Sequence, residues 1–246
     1  MFRLLLCSLV LLASTSASAE RLLVATAANF KPTLGEIVSV FQQQTGHSVI
    51  VSSAATGVLY NQILHGAPFD LFLAGDDKHP RLLEQSGDAL AGSRITYAYG
   101  NLVLAYRPQL LELASAGVEA LLRDTSLNLV IANPEHAPYG EAAMSVLKRW
   151  PGLTQRRILR ASNVGQAYQM WYSGGADLAL VALSSRPANY LPIPEQWFAP
   201  IQQQAVILQR SAETSRAREF LGFLQTPAMQ SLIRQQGYRT EPAANG

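Results

Sequence analysis

The sequence predicts an α/β protein, in which β-strands and α-helices alternate along the chain. Short continuous apolar runs, rich in valine, leucine and isoleucine, are followed by longer segments whose apolar residues recur at the period of a helix. Continuous apolar strands are typical of a parallel sheet that helices cover on both faces. The alternation therefore favours βαβ units, and the length of 246 residues allows one large domain or two lobes.

The apolar runs and the helical periodicity locate the predicted elements. Strands are predicted near 21–27, 48–53, 69–74, 101–106, 127–132, 157–161, 177–183 and 204–209. Helices are predicted near 32–45, 57–65, 78–86, 117–122, 139–149, 164–173, 213–225 and 227–236. The proline-rich segment 187–200 predicts an irregular surface connection, where a chain folded into two lobes would return to the first.

The first 19 residues predict a cleaved secretory signal peptide. Arg3 precedes an apolar stretch at 4–12, and small residues end the segment at Ala17-Ser18-Ala19. The apolar stretch is too short to span a bilayer, although an uncleaved anchor stays an alternative. Cleavage would remove Cys7, the only cysteine of the chain, so the mature protein would have no thiol for a disulfide, for catalysis or for zinc.

Composition excludes several classes of function. The formal net charge is +2, and loss of Arg3 lowers it to +1, which argues against binding to nucleic acid or to a charged membrane surface. An apolar content of 48% indicates a well-packed globular protein. The histidines show no spacing typical of metal ligands, so no metal site is predicted; they are His47, His65, His79 and His136.

Four predicted turns share one pattern, in which a strand ends in small or polar residues just before a helix begins. They read VATAANFKP at 24–32, SSAATG at 52–57, ANPEHAPYG at 132–140 and ASNVGQ at 161–166. Each turn exposes backbone N–H groups at the positive end of a helix, which suits an anion. Ligands of open α/β sheets bind beyond the carboxyl ends of strands, where these turns lie. Helix capping explains any single turn better than ligand binding does, but four such turns together favour binding.

The scarcity of cations in these turns indicates what kind of anion they would hold. Segments 24–31, 52–60 and 161–168 contain no arginine and only one lysine, Lys31. A site made from them would use N–H and hydroxyl dipoles, which suits a fully deprotonated tetrahedral dianion. Protonated phosphate would need an acceptor for its proton. Glu135 and Glu141 flank the third turn, which leaves phosphate open.

Five stretches resemble, in this order, the periplasmic molybdate-binding protein family of ABC transporters: VATAANF, SSAATGVLYNQILHGAPFDLFLAGDD, ANPEHAPYG, SNVGQA and GADLALVAL. The resemblance covers essentially the whole mature chain. It implies a type II periplasmic-binding fold, with two α/β lobes joined by two crossing strands and a ligand cleft between them. We expect one lobe at 20–99 with 204–246, and the other at 100–203.

The resemblance also implies the function. The protein is expected to capture molybdate or tungstate in the periplasm as a monomer, without catalysis and without a cofactor, and to deliver the anion to a membrane permease. The implied ligand-binding residues, one set for each turn, are Ala28 and Asn29, Thr56, Tyr139, and Val164.

Most of the implied contacts are backbone N–H groups. The expected donors are the N–H of Ala28 or Asn29, the N–H of Tyr139, and the N–H of Val164. Thr56 is expected to add its hydroxyl and its N–H, and Asn29 its side-chain amide. Some family members carry a ligand-contacting tyrosine where this chain has Ala182, and the Asn29 amide is the candidate to replace that contact.

Two alternatives stay open at this point. The same fold could bind sulfate, phosphate or a small organic anion. A periplasmic hydrolase using Ser52 or Ser53 is the alternative from another class, although no G-x-S-x-G elbow or local base accompanies these serines. Three nearby tyrosines could suggest a ferric site, but strands leading into the lobe crossing explain them better; they are Tyr97, Tyr99 and Tyr106.

Overall fold

Two five-stranded sheets organise the protein in the computed structural model, which describes residues 21–150 and 152–241. The predicted signal peptide at 1–19 lies outside these residues. The first sheet has the order β2-β1-β3-β10-β4, and the second has the order β7-β6-β8-β5-β9. The strands are β1 (Arg21–Ala27), β2 (Ser48–Ala54), β3 (Leu71–Leu73), β4 (Ile95–Gly100), β5 (Leu102–Tyr106), β6 (Leu129–Ala132), β7 (Ile158–Ala161), β8 (Leu178–Ala182), β9 (Tyr190–Pro192) and β10 (Ile201–Ile207).

The helices pack against these sheets. They are α1 (Lys31–Thr45), α2 (Thr56–Leu64), α3 (Lys78–Ser86), α4 (Leu111–Ala114), α5 (Val118–Arg123), α6 (Pro138–Leu147), α7 (Val164–Tyr172), α8 (Thr214–Leu224) and α9 (Pro227–Gln235). In α1 the residues Leu34, Ile37 and Phe41 recur at helical spacing and are fully buried, so one face of the helix covers the first sheet. No helix in the described part of the chain combines the length and the apolar character that a membrane span needs.

Both sheets are mixed, which corrects the expectation of purely parallel sheets. The strands β2, β1 and β3 pair in parallel, as do β7, β6 and β8, whereas every pair that involves β10 or β5 is antiparallel. The reason is that the chain crosses between the sheets, from Gly100 to Leu102 and back between Pro192 and Ile201. A crossing strand enters its sheet from the opposite end to the strands of the βαβ units.

These crossings divide the molecule into two halves. The first half is the first sheet with α1 to α3, α8 and α9, and the second half is the second sheet with α4 to α7. Because β10 pairs with β4 from Ile201 onward, the strand belongs to the first sheet over its whole length. The lobe boundaries expected from the sequence, 20–99 with 204–246 and 100–203, stay a prediction.

Each predicted strand and helix has a counterpart in the structure, but the strands β4 and β9 and the short helix α4 are absent from the predicted elements. The strand β4 ends at Gly100 and β5 begins at Leu102, so only Asn101 separates them. The border between the two strands is therefore not apparent in the sequence. The strand β9 lies inside the proline-rich segment 187–200 and ends in Pro192, so the prediction of an irregular connection is wrong for these residues. Proline is tolerated there because β9 is an edge strand, paired only with β5.

Candidate functional site

The four turns singled out in the sequence meet around one small cavity between the two halves. Its volume is about 10 Å³, far below the roughly 300–1,000 Å³ typical of sites for drug-sized ligands. None of the lining residues carries a formal charge; they are Ala27, Ala28, Asn29, Ala55, Thr56, Ala137, Pro138, Tyr139, Asn163 and Val164. Every predicted site residue is among them.

Direct contacts between the two halves hold the four turns around this cavity. The backbone N–H of Gly57, in the second turn, donates to the carbonyl oxygen of His136, in the third, at 2.9 Å. A Cβ added to Gly57 would lie 3.2 Å from the His136 Cα, so the close approach depends on glycine. A Cβ on Gly165, in the fourth turn, would lie 4.0 Å from the Ala28 Cβ in the first, at van der Waals distance, so these two turns are also neighbours.

In the first turn, hydrogen bonds within the protein occupy two of the candidate donors. The N–H of Ala28 donates to the Ala54 carbonyl at 3.0 Å and is therefore used inside the protein. The Asn29 amide donates to Gln203 Oε1 at 2.9 Å and to Tyr238 Oη at 3.2 Å. Both amide hydrogens are thus engaged within the protein, and the expected contact of this amide with the ligand stays a prediction. The backbone N–H of Asn29 has no acceptor in the described part of the chain and stays as the donor of this turn.

The peptide carbonyl of Asn29 is held from both halves, which fixes the orientation of the turn. Tyr238 Oη donates to this oxygen at 2.8 Å, and Ser184 Oγ, from the second half, donates to it at 3.4 Å. Ala182, at the end of β8, is buried opposite Leu102 and does not line the cavity. The segment after β8 therefore reaches the first turn through Ser184 and not through position 182.

In the second turn, Thr56 is oriented as a hydrogen-bond donor. Its Oγ1 accepts the backbone N–H of Gly75 at 3.0 Å, and its side chain is fully buried. A hydroxyl has one hydrogen, and since Gly75 occupies a lone pair, that hydrogen is available to a ligand in the cavity. Thr56 is also the first residue of α2, so its backbone N–H lacks an acceptor within the helix.

The third and fourth turns offer backbone groups at the starts of two helices. Tyr139 is the second residue of α6, directly after Pro138, whose fixed φ suits a first helical turn. Val164 is the first residue of α7, and the side chain of the preceding Asn163 caps this helix by accepting the Gln166 N–H at 2.9 Å. The N–H groups of Tyr139 and Val164 lie before the first intrahelical bonds of their helices and are free to bind an anion.

The cavity is electrostatically positive without any cation. Three helices, α2, α6 and α7, begin at it, and each helix N-terminus carries about half a positive charge. Burial raises the pKa of the Tyr139 hydroxyl well above its ordinary value, and the neighbouring Tyr238 raises it further. The lining therefore stays neutral at every physiological pH.

Formal charges lie instead in a wider, open cleft of about 420 Å³ beside the cavity. Ala137 and Pro138 line both spaces, so the cleft forms the mouth of the cavity. Residues from the two halves face each other there: Asp76, Lys78 and His79 from the first, and Glu135, His136, Glu141 and Lys148 from the second. Within this mouth His79 Nδ1 lies 2.8 Å from Asp76 Oδ2.

The sequence analysis missed the buried polar side chains behind the first turn. Gln203 is fully buried and Tyr238 is 3% exposed, and both bind Asn29. The only sign of these polar side chains in the sequence was the glutamine run 202–204 in an otherwise apolar strand. The serines of the hydrolase alternative, Ser52 and Ser53, lie within β2, and neither is hydrogen-bonded to a histidine within residues 21–150 and 152–241.

Comparison with known proteins places this arrangement in context. A family model described as bacterial extracellular solute-binding protein matches residues 22–239. The molybdate-binding protein ModA of Azotobacter vinelandii is 38% identical over 238 residues, which cover 92% of this chain and 93% of the relative. ModA of Rhodobacter capsulatus is 34% identical over 240 residues, covering 95% and 94%. The solved Azotobacter vinelandii periplasmic molybdate-binding protein matches with a TM-score of 0.83 and 38% identity, covering 90% of this chain and 100% of that one.

Proposed function

This chain belongs to the family of bacterial extracellular solute-binding proteins, and we propose that it captures molybdate or tungstate in the periplasm for an ABC permease. Its relatives of 38% and 34% identity are named molybdate-binding proteins, and the similarity extends over nearly the whole of each chain. We propose that it acts by binding, not by catalysis, and that it works as a monomer.

One observation carries the proposal. Four turns from two sheets surround a small cavity that is lined by neutral residues, with helix N-termini and the Thr56 hydroxyl directed at it. An arrangement that offers only hydrogen-bond donors suits an anion that only accepts, and a tetrahedral dianion such as MoO₄²⁻ has four such oxygens. The donors are the N–H groups of Asn29, Thr56, Tyr139 and Val164, and the Thr56 hydroxyl.

The division of these donors between the halves provides the mechanism of capture. Asn29 and Thr56 belong to the first half, whereas Tyr139 and Val164 belong to the second, so an anion makes its full set of bonds only when the halves are together. The anion therefore shifts the equilibrium towards the closed form by its extra affinity for that form. Each charge-assisted bond contributes about 1.5–3 kcal/mol, so several suffice for sub-micromolar affinity.

Size is the property that separates molybdate and tungstate from sulfate in such a cavity. The three dianions share charge and tetrahedral shape, and differ in the length of the bonds to the central atom. We expect the spacing of the donors to make this selection, because direct backbone contacts such as Gly57 to His136 fix the two halves against each other.

A thermal-shift panel on the chain from residue 20 tests the proposal. The anions are molybdate, tungstate, sulfate and phosphate, each at a thousandfold excess over the expected Kd, with buffer alone as the reference. Ligand binding at that excess stabilises by about 4 kcal/mol, which raises Tm by roughly 8–16 °C for a chain of this size. The matched variant Thr56→Ala, measured alongside, should show a clearly smaller shift.

The panel separates the possible ligands. A large shift with molybdate and tungstate, and little with sulfate, is the expected result. A larger shift with sulfate or phosphate would reassign the ligand while keeping the binding function. No shift with any of these oxyanions would overturn the proposal, and the four turns would then be ordinary helix starts.

A further inference from the structure

We propose that Gln203 is a positioning residue that links the first and third turns of the site and so couples anion binding to the closure of the two halves. The inference rests on the function proposed above. Gln203 does not line the cavity, but it is hydrogen-bonded to residues of both turns, Asn29 and Tyr139.

The two ends of the Gln203 amide serve different halves of the molecule. Its Oε1 accepts the Asn29 amide at 2.9 Å and lies 3.0 Å from the Tyr97 hydroxyl, both in the first half. Its Nε2 donates to the Tyr139 hydroxyl of the second half at 3.4 Å. Because donors on the first-half side fix the oxygen end of the amide, the nitrogen end is left to face Tyr139. The orientation of the amide is thus determined by the network.

Burial makes this network costly to leave incomplete. Gln203 is 0% exposed, and its partners Asn29, Tyr97 and Tyr139 are 5%, 1% and 1% exposed. A buried amide that loses a partner is not compensated by water, so its hydrogen bonds favour the arrangement in which every group is paired. Moving the second half away would take Tyr139 from Gln203, and the network therefore favours the closed form.

Local backbone features are adapted to this contact. The register between β10 and β4 shifts between Gln203 and Gln204, which leaves Tyr97 as the extra residue of β4. Such a bulge redirects side chains, and here the Tyr97 hydroxyl reaches Gln203. Gly100, at the end of β4, leaves the space for Tyr139: a Cβ there would lie 2.2 Å from the Tyr139 Oη and 3.0 Å from the Gln203 Nε2.

Calorimetric titration with molybdate tests the inference in four variants beside the wild type. Gln203→Leu removes the link with little change in volume. Tyr139→Phe removes only the hydroxyl and keeps the backbone N–H, and the double variant combines the two. Gln202→Leu is the matched control, since Gln202 binds Thr96 Oγ1 within the first half and touches neither turn.

We expect Gln203→Leu to weaken the affinity for molybdate at least tenfold and Tyr139→Phe to weaken it three- to fivefold. The double variant should be no weaker than Gln203→Leu alone, because both substitutions break the same contact. Gln202→Leu should stay within twofold of the wild type. This non-additivity distinguishes positioning from a general loss of stability, which would make the two effects multiply.

Three results would overturn the inference. One is a Gln203→Leu variant within twofold of a wild type that binds. Another is a double variant whose loss equals the product of the single losses. If Gln203→Leu does not fold, Gly100→Ala takes its place, and an affinity within twofold of the wild type there would count against the link. No heat with the wild type would overturn the proposed function itself, and this inference with it.

Discussion

The two halves of the molecule place their turns at the cavity alike but equip them differently. In each half the turns follow two neighbouring parallel strands, β1 and β2 in the first, β6 and β7 in the second. The first half adds side-chain chemistry, namely the Thr56 hydroxyl and the buried partners of Asn29. The second half offers the backbone N–H groups of Tyr139 and Val164, whose side chains pack away from the ligand position.

The difference indicates that ligand binding depends more on the identity of the side chains in the first half than in the second. A hydroxyl donor is lost when its side chain is replaced, whereas a backbone donor survives most substitutions as long as the helix begins at the same residue. Binding should therefore be more sensitive to side-chain replacement in the first half. The predictions below test this asymmetry, beginning with the largest effect.

Replacing Thr56 by alanine should weaken the affinity for molybdate 10- to 100-fold. The substitution removes a hydroxyl donor to a charged ligand, which contributes about 1.5–3 kcal/mol, and it leaves the Gly75 N–H without its acceptor. Calorimetry measures the loss, and Thr56→Ser, which keeps the hydroxyl, should stay within about threefold of the wild type. Unchanged affinity in Thr56→Ala would break the assignment of this residue to the site.

The buried tyrosines behind the first turn predict a fall in stability at alkaline pH. Burial raises the pKa of Tyr238 to about 12 from its ordinary value of 10.0, so the unfolded chain loses this proton first. The stability that depends on it is intact below pH 10 and is lost as the pH rises towards 12. Between pH 10 and 11.5 the loss amounts to about 1.5 kcal/mol.

Urea unfolding at several pH values measures this dependence, with Tyr238→Phe as the comparison. The wild type should lose more stability than Tyr238→Phe over this pH range, because the variant lacks the titrating hydroxyl while Tyr97 and Tyr139 remain in both. Equal slopes would show that the Tyr238 hydroxyl is not held in a buried network, and the first half would lose its special chemistry.

Gly57→Ala should weaken molybdate binding about tenfold by forcing the halves apart. The new Cβ would lie 3.2 Å from the His136 Cα, where the two backbones are joined by a hydrogen bond. Alanine normally stabilises a helix relative to glycine. A loss of affinity would therefore come from the contact with His136 and not from a weaker helix α2. Gly35→Ala in α1 is the control, because a Cβ there meets nothing within 4 Å. Equal affinities in the two variants would show that this contact does not limit closure.

Val164→Ala should change the affinity for molybdate by less than threefold. Only the side chain is removed, and the N–H at the start of α7 remains, with Asn163 still capping the helix. The thermal midpoint should fall, because Val164 is 3% exposed and belongs to the core of the second half. A loss of affinity as large as that of Thr56→Ala would contradict the asymmetry between the halves.

Local patterns in the sequence predicted the fold class and the position of the turns. The apolar runs of β1 and β6, with the helices that follow them, were visible because strand and helix periodicity are local properties. The strand β9 was not visible in the sequence, because three residues that end in proline resemble a loop. The antiparallel pairs were missed as well, because pairing direction depends on where the chain crosses between sheets.

The site could be predicted only as far as its chemistry is local. Helix starts and the Thr56 hydroxyl were found from single stretches of sequence, and all lie at the cavity. The hydrogen bonds of the Asn29 amide were not found from the sequence, because its partner Gln203 is 174 residues away and no local pattern links the two. An asparagine before a helix is the same signal whether its amide faces a ligand or a buried network.

Titration of the wild type with molybdate at two salt concentrations, about 20 mM and 500 mM sodium chloride, tests the central claim most directly. The claim is that neutral donors of four buried turns hold the anion, while the charged residues of the mouth do not. The Debye length falls from about 30 Å at 0.01 M salt to about 3 Å at 1 M, so the higher concentration weakens the attraction of exposed charges. Buried dipoles are screened much less. The account predicts sub-micromolar affinity that changes less than threefold. Weakening by more than tenfold, or no binding at low salt, would contradict it.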